Sequence, residues 1–310
     1  MKALRAAPFS QKLSFMQPER EADETMLRGV HSEYMINEVR RISDAGGGWI
    51  DIDTYVSRGS YDIARLAAGT ALQASRMVID GKLESAFCAV RPPGHHATKH
   101  LSMGFCLFNN VAVAANELAK LGLKVLIYDH DVHHGNGTQE IFYDRNDVLY
   151  MSTHAWPYYP GTGQIKQIGE GNGEGFNVNA PMPRGTDNEM VRMVHDEVML
   201  PIARQFGPDI ILFSAGFDSH YSDPLGVFKF TTGFFHEFTR KFMEVQPRFA
   251  SVLEGGYDME SLPQGVMSQV SAMCGEGAVL EEPQHPSYAL AEGKRIVREL
   301  KRTFEGYWSM

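Results

Sequence analysis

The segment VLIYDHDVHHGNG, residues 125–137, changes character after its first four residues. Positions 125–128 form an unbroken apolar run, short enough for a strand and apolar enough for one covered on both faces. From position 129 onward acids, imidazoles and glycines take over. The same unit recurs along the chain. Positions 86–90 run into RPPGHH (91–96), 148–151 into STHAW (152–156), 210–213 into SAGFDSHYSDP (214–224), and 250–253 into EGGYD (254–258). Longer helical patterns separate these units, at 61–79, 111–121, 188–205, 232–243 and 288–302. The first places Ile63, Leu66, Ala67 and Thr70 on one face. Such alternation predicts an α/β fold, a mainly parallel sheet with helices on both faces. In an open parallel sheet ligands bind beyond the carboxyl ends of the strands, so the five loaded loops predict one converging site. Solvated loops favour Lys, Glu and Ser over this density of His and Gly.

The bulk composition fits that reading. Of 310 residues, 43% are hydrophobic and 22% charged, with no compositional break or linker, so residues 1–310 read as one domain. Cys88, Cys106 and Cys274 form no CxxC pair and no disulfide framework, which points to a reducing, cytoplasmic setting. MKALRAAPFSQKLSF at the start lacks the apolar run of a secretory signal, and nowhere do about 18 apolar residues run together, so no membrane partner is expected. A formal net charge of −9 argues against nucleic acid as a partner and suits a cationic substrate. Self-association stays open.

Asp131 and His133 alternate after a strand, so both side chains can project to one side. Asp218 follows another strand and adds a second carboxylate. Two carboxylates and one imidazole leave a fourth position for water or substrate, the pattern of a catalytic rather than a structural zinc site. Singly, these residues read equally well as a helix cap, an exposed imidazole and a turn residue; their joint placement at strand ends favours the metal. His95 and His96 sit on a loop stiffened by Pro92 and Pro93, and imidazole suits proton transfer from metal-bound water near neutral pH. Gly255 and Gly256 let the backbone bend so that the Tyr257 phenol can face a cleft and donate to a developing oxyanion. Arginase-type ureohydrolases, which hold two manganese ions, carry Asp-x-His-x-Asp and Asp-x-Asp loops. Here Gly135 and His220 stand where the extra carboxylates would be, which favours one metal.

Taken together and in order, RPPGHH, GFCLFNN (104–110), DHDVHHGNGTQ (129–139), YYPGTG (158–163), SAGFD with DPLG (214–218, 223–226) and LEGGYD (253–258) resemble the histone deacetylase family, its class II or bacterial branch in particular. The resemblance runs from about residue 30 to residue 262. It implies the arginase/deacetylase fold, a three-layer αβα sandwich, without the strand and HPERPERL-like segment that usually open the family's domain. It implies one zinc ion on Asp131, His133 and Asp218, with His96 as general base and His95 beside it, oriented by Asp129. Asn136 matches the partner of the second histidine, and Tyr257 matches the catalytic tyrosine. Phe105 and Tyr159 would wall a narrow tunnel, the Gly104 carbonyl would receive the substrate amide N–H, and Asp53 would grip a peptide backbone at the rim. A structural potassium ion is implied near Asp129, Asp131, His133 and Ser152. The activity implied is hydrolysis of N-acyl amides, releasing acetate and amine from acyl-lysine or related acyl-amines. Leu225 stands where a polyamine-selective branch places glutamate, which favours acyl-lysine over acetylpolyamines. A non-catalytic acyl-binding protein is the remaining alternative. His130 has no counterpart in the family's usual aromatic or aliphatic residue there.

Overall fold

The computed structural model describes residues 1–284 and 290–310. Its strands are β1 (Gly47–Trp49), β2 (Tyr55–Ser57), β3 (Ser85–Cys88), β4 (Val125–Asp129), β5 (Val148–Ala155), β6 (Asn177–Met182), β7 (Ile210–Ala215) and β8 (Phe249–Leu253). Its helices are α1 (Lys2–Ala6), α2 (Glu24–Arg28), α3 (Glu33–Asp44), α4 (Ser60–Ile79), α5 (Asn110–Ala119), α6 (Asn136–Phe142), α7 (Asn188–Val194), α8 (Leu200–Phe206), α9 (Thr232–Val245), α10 (Ser261–Met273) and α11 (Leu290–Phe304). Six strands form a parallel sheet in the order β3-β8-β7-β4-β5-β6, and β1 and β2 form a separate antiparallel hairpin.

The strand period of two explains the three layers. Val125 and Ile127 of β4 pack into the core on one face, beneath α2 to α6. Leu126 and Tyr128 pack into the other, beneath α7 to α11 and α1. Ile210 and Leu212 against Ile211 and Phe213 repeat the division in β7. The second core is rich in aromatics: Tyr128 stacks on Phe242 with ring centroids 4.4 Å apart.

Strand order also fixes where a site can form. From β4 the chain proceeds to β5 on one side, and from β7 to β8 on the other. These neighbouring strands therefore release their loops in opposite directions, and the crevice between them is the sheet's topological switch point.

Several elements depart from the sequence reading. Ile63 is 52% exposed, while α4 buries Tyr61, Ala64, Ala68, Ala71 and Leu72. Of the expected face Ala67 is buried as well, and the buried side of α4 is built largely on alanines. STHA belongs to β5 itself rather than to a loop. The helical pattern at 188–205 is interrupted by a π turn, His195–Met199. Pro201 has no N–H to donate and crowds the carbonyl four residues back, and the turn just ahead of it takes up the mismatch. β6 (NVNAPM) was missed because Asn177, Asn179 and Pro181 look unlike a strand. As an edge strand it tolerates proline, and both asparagines donate to Gln139 Oε1, at 3.1 and 2.7 Å. The final helix starts at Leu290; Tyr288, its expected start, lies outside the described residues.

Candidate active site

At the switch point the exits of β4 and β7 bring Asp131, His133 and Asp218 together, with one donor atom from each within 4.8 Å of the others. Backbone amides hold the carboxylates in place. The Val132 N–H donates to Asp218 Oδ1 at 2.9 Å, the Gly255 N–H to Asp131 Oδ2 at 2.8 Å, and the His133 N–H to Asp131 Oδ1 at 2.9 Å. His133 Nδ1 lies 3.0 Å from Asp131 Oδ1 and 3.2 Å from Asp218 Oδ2. Asp218 Oδ2 is nonetheless out of hydrogen-bond alignment, buried, and without a hydrogen-bond partner among the described residues. A buried carboxylate oxygen left in that state is costly. Burial and the neighbouring Asp131 raise the Asp218 pKa to about 7. Burial also disfavours charge on His133, but the two carboxylates overcome it and lift its pKa to about 11. The spot thus draws positive charge. A divalent cation would supply it and release the His133 proton, as ligation by neutral imidazole requires. The residues fit a metal.

Beside this cluster the exits of β3 and β4 meet. His95 Nδ1–H donates to Asp129 Oδ2 at 3.0 Å, and His96 Nδ1–H donates to Asn136 Oδ1 at 2.9 Å. The imidazole centroids are 3.9 Å apart. Burial opposes protonation of both rings. For His95 the fields of Asp129 and Asp131 win, and its pKa rises to about 10. His96 has an amide for a partner instead of a carboxylate, and burial together with the charge on His95 holds it well below the usual imidazole range. The unlike partners thus favour the charged form of His95 and the neutral form of His96.

Aromatic rings surround the pair. Tyr159 packs edge-on against His96 at 5.1 Å and His133 at 6.1 Å, and Phe105 against Tyr257 at 6.1 Å. Phe105 has φ +66°, a left-handed conformation that costs a non-glycine residue about 1–2 kcal/mol. The Thr54 hydroxyl oxygen, which accepts the Phe105 N–H at 3.0 Å, holds it there. Gly104 before it also has positive φ, +58°, and a Cβ there would come within 2.4 Å of the His96 ring. Asp53 Oδ1 accepts the Gly104 N–H at 3.1 Å, so the β1–β2 hairpin carrying Asp53 braces this wall. Leu225 lies beyond the β7 exit and is half exposed.

The Histone deacetylase domain family matches residues 1–273. The chain is 38% identical to a "Probable deacetylase" of Archaeoglobus fulgidus, an alignment covering 96% of this chain and 88% of the relative. The chain belongs to the histone deacetylase family. It is also 35% identical to the "Histone deacetylase-like amidohydrolase" of Pseudomonas aeruginosa, over 91% of this chain and 76% of that one. With "Histone deacetylase 10, chloroplastic" of Oryza sativa subsp. japonica identity is 41% over 87% of this chain, which spans 65% of the rice protein. The crystal structure of the HDA15 HD domain superposes with a TM-score of 0.91 at 35% identity, covering 99% of this chain and 87% of that one. Membership of the deacetylase family places the chain among hydrolases, on the arginase/deacetylase fold. Among the described residues no helix is long and apolar enough to cross a membrane.

Two residues of this deacetylase-family site carry structure that their motifs did not announce. Glu254, buried, accepts the N–H groups of Gly94 at 2.6 Å and His95 at 3.1 Å through Oε2, and the Ser214 hydroxyl at 3.1 Å through Oε1. Asp223, also buried, accepts the Tyr257 N–H at 2.6 Å and the Leu225 N–H at 3.0 Å. Each ties one strand exit to another, a long-range role with no periodic signal. His130 turns away from the site: its Nε2 lies 3.2 Å from Gln269 Nε2, among the rings of Phe213, Phe217, Phe235 and Phe238. His220 is bound to Ser222 and Thr232 rather than to the carboxylate cluster. Asp129 and Ser152, expected near potassium, are register partners on β4 and β5.

Proposed function

We propose that the chain is a zinc-dependent deacetylase acting on linear N-acyl amides, acyl-lysine side chains in the first place, and releasing acetate and the free amine. Asp131, His133 and Asp218 would hold one zinc ion, and a structural potassium ion would sit near Asp129, Asp131, His133 and Ser152, partly on main-chain oxygens. When bound, zinc polarises an acyl oxygen and acidifies water at the open position.

The observation that carries the reading is the unequal histidine pair. Burial favours the neutral form of His96, and with its Nδ1–H committed to Asn136 the ring offers Nε2 to take a proton from water and return it to the departing amine. His95, kept charged by Asp129, favours the negative charge that gathers on the acyl oxygen. Burial and the nearby carboxylates raise the Tyr257 pKa, so the phenol keeps its proton and donates to that oxygen. Phe105 and Tyr159 would flank an alkyl chain, with the Gly104 carbonyl facing the amide N–H. Asp53 would meet a peptide backbone at the rim. An apolar Leu225 offers nothing to a second cation, which favours acyl-lysine over acetylpolyamines. Residues 1–310 act as one domain in this reading.

Metal analysis combined with an acyl-substrate panel tests it. One zinc per chain and chelator-sensitive hydrolysis of acetyl-lysine peptide, exceeding that of acetylspermidine, are expected. A zinc-loaded chain inert on every acyl amide would sink the reading.

A further inference from the structure

The family match ends at residue 273, yet the chain beyond it reaches back to the site. Glu282, half-buried, places its carboxylate against the loop that links β7 to α9. Oε2 accepts the Thr232 N–H at 2.6 Å, and Oε1 accepts the Tyr221 hydroxyl at 3.2 Å. His220 Nε2 lies 3.4 Å from Oε2 and 3.2 Å from the Thr232 hydroxyl. The Ser222 N–H points at His220 Nδ1 from 3.3 Å, so Nδ1 is the acceptor and the ring proton sits on Nε2, facing Glu282. Thr231, the N-cap of α9, offers that helix no side-chain cap. Glu282 supplies the acceptor, and its charge suits the helix's positive end. One carboxylate therefore joins three donors from two elements.

What it grips matters for the site. His220 lies two residues beyond Asp218 on the same loop. The Asp223 N–H donates to the His220 carbonyl at 3.1 Å, and Asp223 in turn holds the N–H groups of Tyr257 and Leu225. Tyr221 is further fastened by its N–H to the Phe230 carbonyl, 3.0 Å. The path from Glu282 to the Tyr257 backbone thus runs through two side chains and one turn, all hydrogen-bonded. We infer that Glu282 is a positioning residue, a strap from outside the matched domain that sets the 218–226 loop and, through Asp223, Tyr257. The inference rests on the deacetylase reading for what Tyr257 does, and on geometry alone for the strap.

The test uses the full chain with Glu282→Ala and Glu282→Gln, and Glu276→Gln as a control, since among the described residues the Glu276 side chain pairs only with the exposed Lys12. Hydrogen exchange, zinc content, kcat and KM are measured. In Glu282→Ala the amides of residues 221–223, of Leu225 and of Tyr257 exchange about tenfold faster, and kcat falls about tenfold with zinc retained and KM little changed, as loss of a charge-assisted anchor implies. Glu282→Gln, which keeps one acceptor, recovers part of both. Unchanged exchange at Tyr257, an equal rise across the whole chain, or wild-type kcat despite a loosened Tyr257 would each overturn the strap. A wild-type chain without amide hydrolysis removes the deacetylase reading instead, and exchange at Tyr257 still decides whether the strap exists.

Discussion

At the scale of single residues, the site is governed by which polar partner each side chain meets. His95 and His96 are neighbours in sequence with the same burial, yet Asp129 favours charge on one, while burial and the charge on His95 hold the other, partnered only by the Asn136 amide, toward its neutral form. Sequence supplied the pair and its loop; the unlike partners come from two different positions of the β4 exit and the start of α6. Tyr257 is the residue whose role is most directly measured. Tyr257→Phe removes one hydroxyl and should leave zinc bound while slowing turnover about a hundredfold, the usual loss for an oxyanion donor. Metal content and kcat on an acetyl-lysine peptide check this together, and unchanged turnover would refute the assigned role.

At the scale of elements, strand exits were legible and their fastenings were not. Five apolar runs ending in polar clusters marked β3, β4, β5, β7 and β8, because strands covered on both faces leave a continuous apolar signature. β6 and the β1–β2 hairpin left none, since one is an asparagine-bearing edge strand and the other consists of two three-residue strands. The approach of the β8 exit to the carboxylates is similarly hidden in sequence. A Cβ at Gly255 would fall 2.3 Å from Asp218 Oδ2 and 2.5 Å from Asp131 Oδ2. Gly255→Ala is therefore expected to lower zinc content sharply while far-ultraviolet circular dichroism stays at the wild-type level; full zinc occupancy would show that the loop can yield. On the opposite face of β4, Phe242 of α9 stacks fully buried on Tyr128. Phe242→Ala should cost about 3–5 kcal/mol in denaturant unfolding, as large-to-small core changes do.

At the scale of the whole molecule, the layers bury several histidines without charge. Burial pulls the pKa of His31 and His130 to about 4, and that of His154 and His195 to about 3. Unfolded, each would titrate near its ordinary value of 6.5, so the unfolded chain binds more protons in acid. Their contribution to stability is complete above pH 6.5 and is lost as pH falls toward 4 and 3, by roughly 1.4 kcal/mol per pH unit for each histidine. Urea midpoints should drop steeply between pH 6.5 and 4.5; a flat profile there would mean these rings are not buried neutral. The sequence by itself determined the parallel α/β architecture, the strand exits that carry chemistry, and the family, because hydrophobic period and contiguous motifs are local properties of the chain. The tertiary structure alone decided which backbone amides hold the carboxylates of Asp131 and Asp218 in place, and that Glu254, Asp223 and Glu282 join loops far apart in sequence. Those facts depend on strand order and on burial, which set distance and field between residues that no local pattern connects.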